Sequence, residues 1–307
     1  MQIGKNSRRL VELRKAIRHG SLTSEGLLPI EGPILLEEAG RSGIKIVDVF
    51  CRAGANIPAV EAEALFEIPP DVFKTIQDTE HSQGIIATVQ PRVFTIPHVF
   101  AVSPALVIIL VRLQDPGNVG TILRIGESLG ATGCIALRGT AGFYNGKVVR
   151  ASAGSVFRFP HTGSENLQEI ASALRSQRIG LVGTSPDTAG TIEQWDWRKP
   201  SAILIGNEGQ GLNREELAAC DTVLRIPHKG SVESLNSAIA AAIILYEASK
   251  QRPYMSGANA RPTGRSRKRC KPRGEAQARQ RAASRKGEAV KTRQLSLCRS
   301  QERSDCI

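Results

Sequence analysis

Apolar residues recur at helical spacing over residues 7–19, where Leu10, Leu13 and Ile17 share one side, and this predicts a first helix. The run LLPIEGPILLEEAG then reads as a short strand, a Gly-Pro turn and a helix from Pro33 to about Ala39. Proline stands in its first turn and Gly40 at its stop. Residues 44–50 and 84–89 are apolar runs of strand length, and the Ala-rich and Pro-bounded stretches near 57–66 and 70–77 predict helices between them. Residues 90–104 hold Pro91, Pro97 and Pro104 with little periodicity, and read as a linker or as a strand with linker ends. Beyond them strands at 106–113, 134–137, 179–184, 202–206 and 222–226 alternate with helices at 119–129, 166–177 and 235–250. Such alternation predicts a mainly parallel sheet covered on both faces, in an α/β fold. The expected division is a small α/β domain over 1–90, a linker over 91–104, a larger α/β domain over 105–250 and a tail over 251–307.

The length of 307 residues suits two domains at about 150 residues each. No run of 18 apolar residues occurs, so no membrane span is expected. The N-terminal stretch MQIGKNSRRLVELRKA has no apolar h-region, which argues against a secretory signal. Six cysteines (Cys51, Cys134, Cys220, Cys270, Cys298, Cys306) show no C-x-x-C pair, so reduced thiols and a cytoplasmic location are expected. Five histidines (His19, His81, His98, His161, His228) lack metal-ligand spacing, and no metal is expected.

The formal net charge is +12, and all of it falls within residues 251–307, where 16 Lys and Arg face 4 acids. Residues 1–250 are balanced. The tail has almost no large apolar side chains and is expected to be disordered, serving as an electrostatic arm on RNA.

In a parallel sheet the ligand crevice lies beyond the carboxyl ends of the strands. Three polar, small-residue loops fall there. QDPGNVGTILRIGESLGATG (114–133) offers Asn118 as a cap for the next helix, Arg124 two turns in, and Gly130 at the helix end. LIGNEGQGLNREEL (204–217) clusters Gly206, Gly209 and Gly211 without the dinucleotide spacing or a Walker lysine. Asn213 and Glu216 form a capping box there, and Glu208 is left unexplained by capping. IPHKGSVESLNSAIAAAIILYEASK (226–250) places Ser234 and Asn236 at a helix start, where one cap would suffice. Its helix shows an apolar face of Leu235, Ile239, Ala242, Ile243 and Tyr246, suited to dense packing or a dimer interface. Taken singly, each polar residue reads as well as a cap or a solvated turn.

Together, in this order, DPGNVGTILR, LIGNEGQGL and IPHKGSVESLN resemble the three motifs of the SpoU (TrmH-like) class of SPOUT RNA methyltransferases. YNGKVVRASAGSVFRFP (144–160) is similar to the segment between motifs, and the resemblance covers about residues 105–250. IEGPILLEEA and HSQGIIATV are similar to the family's small N-terminal RNA substrate-binding domain.

The resemblance implies a knotted SPOUT methyltransferase domain, with a mainly parallel sheet and a C-terminal trefoil knot, and a homodimer. It implies methyl transfer from S-adenosyl-L-methionine to a ribose 2′-hydroxyl of rRNA or tRNA. It places catalytic roles on Arg124, Asn118, Glu208, Ser234 and Asn236. Cofactor contacts fall on Gly206, Ile226 and Leu235, largely through backbone, with Thr184 in addition. His228 departs from the family, which more often has Met or Leu after Ile-Pro.

A free guanidinium is a poor base, so the chemistry favours Arg124 as a stabiliser of developing oxyanion charge or an orienter of the adjacent phosphate. Two other readings stand beside this one: a catalytically silent RNA-binding or ribosome-assembly protein of the same fold, and a SPOUT enzyme acting on a base nitrogen.

Overall fold

The computed structural model describes Gly4, Lys5, residues 7–229 and residues 234–253. The basic tail beyond residue 253, and the part of the third loop at 230–233, lie outside these residues.

Helix α1 (Arg8–His19) forms as its spacing predicts. Ser7 caps it, accepting from the Leu10 N–H, and Gly20 ends it at φ +59°. Strand β1 (Leu28–Glu31), helix α2 (Pro33–Arg41), strands β2 (Ile46–Arg52) and β3 (Ala62–Ile68), helix α3 (Pro70–Phe73) and strand β4 (Ile85–Val89) build a four-stranded sheet of order β1-β4-β2-β3. Strand β2 pairs antiparallel with β4 and parallel with β3.

Three sequence expectations fail here. The helix near 57–66 is the strand β3, because pairing with β2 outweighs the helix propensity of AEALFEI. Helix α2 runs through Gly40, and the left-handed stop is Gly43 at φ +65°. The helix near 70–77 is only the turn of α3.

Residues 91–104 contain a short helix, α4 (Ile96–Val99), whose Val99 is fully buried and packs on the larger sheet. That sheet holds β5 (Leu106–Leu110), β6 (Gly133–Leu137), β7 (His161–Ser164), β8 (Gly180–Thr184), β9 (Ser201–Ile205) and β10 (Thr222–Leu224) in the order β10-β8-β9-β5-β6-β7. Every pairing in it is parallel. Helices α5 (Pro116–Ser128), α6 (Gly146–Ser152), α7 (Leu167–Ser176), α8 (Arg214–Ala218) and α9 (Ser237–Gln251) connect and cover it. The predicted α/β class with a mainly parallel sheet is therefore what forms.

Strands β5 and β9 are buried at every position, as expected of central parallel strands. Cores lie on both faces. One joins Ile108, Leu110, Val119, Ile122 and Trp197 to Ala241, Ile244 and Leu245 of α9, and the other joins Val107, Ile109, Ile135, Leu181 and Leu204 to Ile170 and Leu174 of α7. Helices α5 and α6 meet at Gly120, where a Cβ would stand 2.4 Å from the Val148 carbonyl oxygen. The buried face of α9 is Ala238, Ala241, Ile244, Leu245 and Ala248. Ile239 and Tyr246, read from the sequence as part of one packing or interface face, stay exposed.

Arg252, counted with the tail in the sequence, is anchored at the end of α9. It donates to the carbonyls of Trp197, Pro104, Ala105 and Lys199 at 2.6–2.9 Å. Cys51, Cys134 and Cys220 are free thiols. Burial pushes the Cys220 thiol up to about 12, so it stays protonated at neutral pH.

Candidate active site

The sheet order sets the location of the site. From β5 the chain moves outward to β6 and β7, then returns to the opposite side to lay down β8, β9 and β10. Strands β5 and β9 are neighbours at this reversal, so the loops leaving their carboxyl ends border one crevice.

The chain leaves β5 through Arg112, a non-glycine residue at φ +53°, and enters α5 at Asp115-Pro116. Asp115, rather than Asn118, is the cap. Its carboxylate accepts from the Gly117 N–H at 3.0 Å and from Lys147 Nζ at 2.8 Å. The Lys147 bond, followed by the Gly117 bond, holds that carboxyl below the usual carboxylate range. Pro116 suits the first helical position, which needs no N–H donor. Gly130 follows the helix end at φ +81°, as the sequence predicts.

Asn118, released from capping, uses its side chain elsewhere. Its Nδ2 donates to Glu208 Oε1 at 3.1 Å, and its Oδ1 accepts from Asn236 Nδ2 at 3.2 Å. Asn236 is itself the cap of α9, accepting from the N–H groups of Ala238 and Ile239 at 2.9 and 3.2 Å. One residue thus caps the helix and ties the third loop to the first. Ser237 Oγ donates to the Gly206 carbonyl at 3.3 Å, joining the third loop to the second.

The glycine-rich loop after β9 folds back on itself. Asn207 and Gly211 exchange backbone hydrogen bonds of 3.2 and 3.0 Å, with Gly211 at φ +61°. A Cβ on Gly206 would stand 2.5 Å from the Gly211 carbonyl carbon, so the close approach requires glycine. Asn207 Oδ1 accepts from Gly209 and Gln210, while its Nδ2 donates to the Arg112 carbonyl at 2.8 Å.

Arg112 and Glu216 form a forked ion pair, with Nη2 to Oε2 at 3.1 Å. Hydrogen bonding to Glu216 raises the Arg112 pKa further above its ordinary value. Glu216 also accepts from the Asn213 N–H at 2.8 Å, completing the predicted capping box of α8. Sequence reasoning passed over Arg112 and Asn207. The signal for Asn207 was its place in an otherwise small-residue turn; Arg112 pairs across 104 positions, which no local pattern reports.

The remaining predicted residues are placed as follows. Thr184 ends β8 and donates from Oγ1 to the Leu204 carbonyl at 3.4 Å. Ile226 and Leu235 are half-buried on either side of the undescribed stretch. His228 is exposed, its Nδ1 3.1 Å from the Ile226 carbonyl oxygen. Arg124 is exposed on α5 and its guanidinium is bonded to no described residue. Six residues of helix set it about 9 Å along the axis from Asn118. Ser234 is likewise exposed. The structure therefore brings Asn118, Glu208 and Asn236 into one hydrogen-bonded chain and leaves Arg124 and Ser234 outside it.

The sequence profile of the SpoU rRNA Methylase family matches residues 105–246. The 23S rRNA (guanosine-2′-O-)-methyltransferase RlmB of Bordetella pertussis is 35% identical over 205 residues, covering 66% of this chain and 80% of that protein. This chain belongs to the SpoU rRNA methylase family. A second relative, the 23S rRNA (guanosine(2553)-2′-O)-methyltransferase RlmP of Bacillus subtilis, is 30% identical over 71% of this chain and 86% of its own length. Among solved structures, the SpoU methyltransferase AviRb of Streptomyces viridochromogenes in complex with the cofactor AdoMet superposes with a TM-score of 0.72 at 26% identity. The match covers 82% of this chain and all of AviRb. The family match spans the three loops and both central strands, so the hydrogen-bonded chain described above lies within the SpoU region.

Proposed function

We propose that this chain transfers a methyl group from S-adenosyl-L-methionine to a ribose 2′-hydroxyl of rRNA or tRNA. Ribosomal RNA of the large subunit is the first candidate, because the relatives above are named for 23S rRNA. The observation that carries the reading is the hydrogen-bonded chain Glu208–Asn118–Asn236, which joins the three SpoU motifs at the carboxyl ends of β5, β9 and β10.

The residues present suit the cofactor. Strands β9, β8 and β10 are neighbours, and Gly206, Thr184 and Ile226 stand at or just beyond their ends. Backbone at Gly206, Ile226 and Leu235 can face a ligand closely, and Ile226 and Leu235 offer apolar surface beside it. Glu208 contributes a carboxylate for a cationic ligand. When bound, S-adenosylmethionine supplies a methyl group on a sulfonium, an already activated electrophile.

The ribose oxygen takes the methyl group, the sulfonium leaves as a neutral thioether and the hydroxyl proton passes to solvent, so the protein's remaining task is alignment, since in-line geometry governs such a transfer. Asn118 holds Glu208 and the α9 cap in register. Arg124, whose guanidinium is bonded to no described residue, is available to the RNA, where its fork can take a phosphate or the developing oxyanion. Ser234 and Asn236 fix the ribose and the loop that carries them.

The same reading makes residues 1–90 an RNA substrate-binding domain joined through 91–104 to a catalytic domain over 105–250. Exposed Arg8, Lys15 and Arg18 on α1 support it. The trefoil knot implied by the motifs belongs to the reading too. Ile239 and Tyr246, 55% and 61% exposed on α9, support a homodimer through that helix. The basic tail serves as an RNA arm, and the cytoplasm is where such a substrate resides.

The test is transfer of labelled methyl to separated tRNA and rRNA pools, followed by nucleoside digestion. A 2′-O-methylnucleoside supports the reading. A methylated base on an unmethylated ribose, or no transfer with cofactor binding intact, refutes it.

A further inference from the structure

The core of the small sheet is closed by residues from outside it. Val149, Val156 and Phe157 complete the cluster formed by Leu28, Ile30 and Val89 of the sheet and Leu36 of α2. Apolar burial drives α6 and the turn after it against the small sheet, and hydrogen bonds at the edge of that contact add directional constraint. Arg158 follows this contact directly in sequence. Its Nε and Nη2 donate to Glu127 at 2.8 and 3.1 Å, while Nη1 donates to Glu38 Oε2 and Ser42 Oγ, both at 2.9 Å.

Glu127 lies on α5, three residues beyond Arg124, and Ser155 Oγ also donates to it at 2.5 Å. Glu38 lies on α2 and Ser42 ends that helix, and Arg92 Nη2 donates to the Ser42 carbonyl at 2.7 Å. One guanidinium therefore bridges the helix that carries the Asn118 and Arg124 motif to a helix of the small sheet. A lysine, with a single nitrogen, has no such fork. Gly154 allows the approach: at φ +91° its Cβ would stand 2.9 Å from Glu38 Cβ. Arg150 and Asp78 form a second ion pair between the same two parts.

We propose that Arg158 is a positioning residue that sets the angle between the small sheet and α5. It thereby fixes where an RNA gripped by residues 1–90 presents its ribose to Arg124. This rests on the methyl-transfer reading above.

The test uses the full chain as wild type, Arg158→Lys, Arg158→Ala and Glu38→Gln, with 23S rRNA extracted from cells lacking the chain. Spin labels at His19→Cys on α1 and Ser172→Cys on α7 read the separation of the two parts, with Cys270, Cys298 and Cys306 replaced by serine. The expected result is a widened distance distribution in all three variants and a single-turnover transfer rate lowered about tenfold to a hundredfold. Calorimetric affinity for S-adenosylmethionine stays at the wild-type value in all three variants.

An unchanged distance distribution in Arg158→Ala overturns the proposal, as does a widened one with wild-type turnover. Loss of cofactor affinity in step with rate also overturns it, because Arg158 then serves only the fold of the larger sheet. A wild-type chain that transfers no methyl refutes the methyl-transfer reading and the RNA half of the proposal with it. The distance measurement decides the angular half in either event.

Discussion

Asn118 Nδ2 donates to Glu208 Oε1 at 3.1 Å, across 90 residues of sequence. The bond explains why an asparagine stands in the first turn of α5 when Asp115 already caps that helix. Asn118→Ala leaves the cap in place and unties two loops from each other. Methyl transfer is expected to fall about a hundredfold or more, with a thermal midpoint within a few degrees of wild type. A variant with wild-type single-turnover rates would remove Asn118 from the site.

Gly206 is pressed against Gly211 and Leu212. Gly206→Ala forces the glycine-rich loop open, at a cost of about 1–3 kcal/mol. Cofactor affinity is expected to drop together with stability, read by calorimetry and thermal melting. Unchanged affinity would show that the loop's closure is irrelevant to the ligand.

Arg252 binds four backbone carbonyls and ties the end of α9 to the approach of β5 and to the segment before β9. Arg252→Ala leaves those carbonyls without their donor. Charged hydrogen bonds of this kind contribute about 1.5–3 kcal/mol. The thermal midpoint should fall by about 3–12 °C at about 2–4 °C per kcal/mol. The same substitution at Arg261, in the basic tail, should leave the midpoint unchanged. Equal midpoints for wild type and Arg252→Ala would refute the anchoring role.

Asp48 sits on β2 with its side chain 7% exposed, 3.5 Å from Arg9. Burial lifts its carboxyl above the usual carboxylate range, against the opposing pull of Arg9 and Thr88. The folded chain thus holds this proton more tightly than the unfolded chain does. Stability falls as pH rises from the ordinary carboxylate value through the raised one, and the full penalty persists at neutral pH. Asp48→Asn should therefore melt above wild type at neutral pH, and the gap should close on acidification through that window. A variant that melts lower at every pH would show that the Arg9 pair outweighs the burial cost.

Much of the fold was legible because its periodicities are local. The spacing of Leu10, Leu13 and Ile17 predicts α1, and the apolar run at 106–113 predicts a central parallel strand, which forms over Leu106–Leu110 and ends before Arg112. Strand β3 was missed although Ala64, Phe66 and Ile68 alternate, because Glu63, Leu65 and Glu67 gave the same stretch a helical composition. Strand β7, HTGS, has no apolar pattern and exists only through its pairing with β6. Of the site, the loops and five polar candidates were legible as motifs. Which of them touch was not, because the Asn118–Glu208 and Asn118–Asn236 bonds span 90 and 118 positions. Arg158 was invisible for the same reason: its partners lie 31 and 120 residues away.

Alkaline cleavage of RNA uses the 2′-hydroxyl as its nucleophile, so a 2′-O-methyl group leaves one linkage intact. Mapping protected linkages in rRNA and tRNA from cells carrying wild type, Arg124→Ala or no copy of the chain therefore shows whether the three loops methylate a ribose hydroxyl. A protected linkage is expected with wild type and is absent from the other two. Identical protection in all three, or protection retained in full by Arg124→Ala, would contradict it.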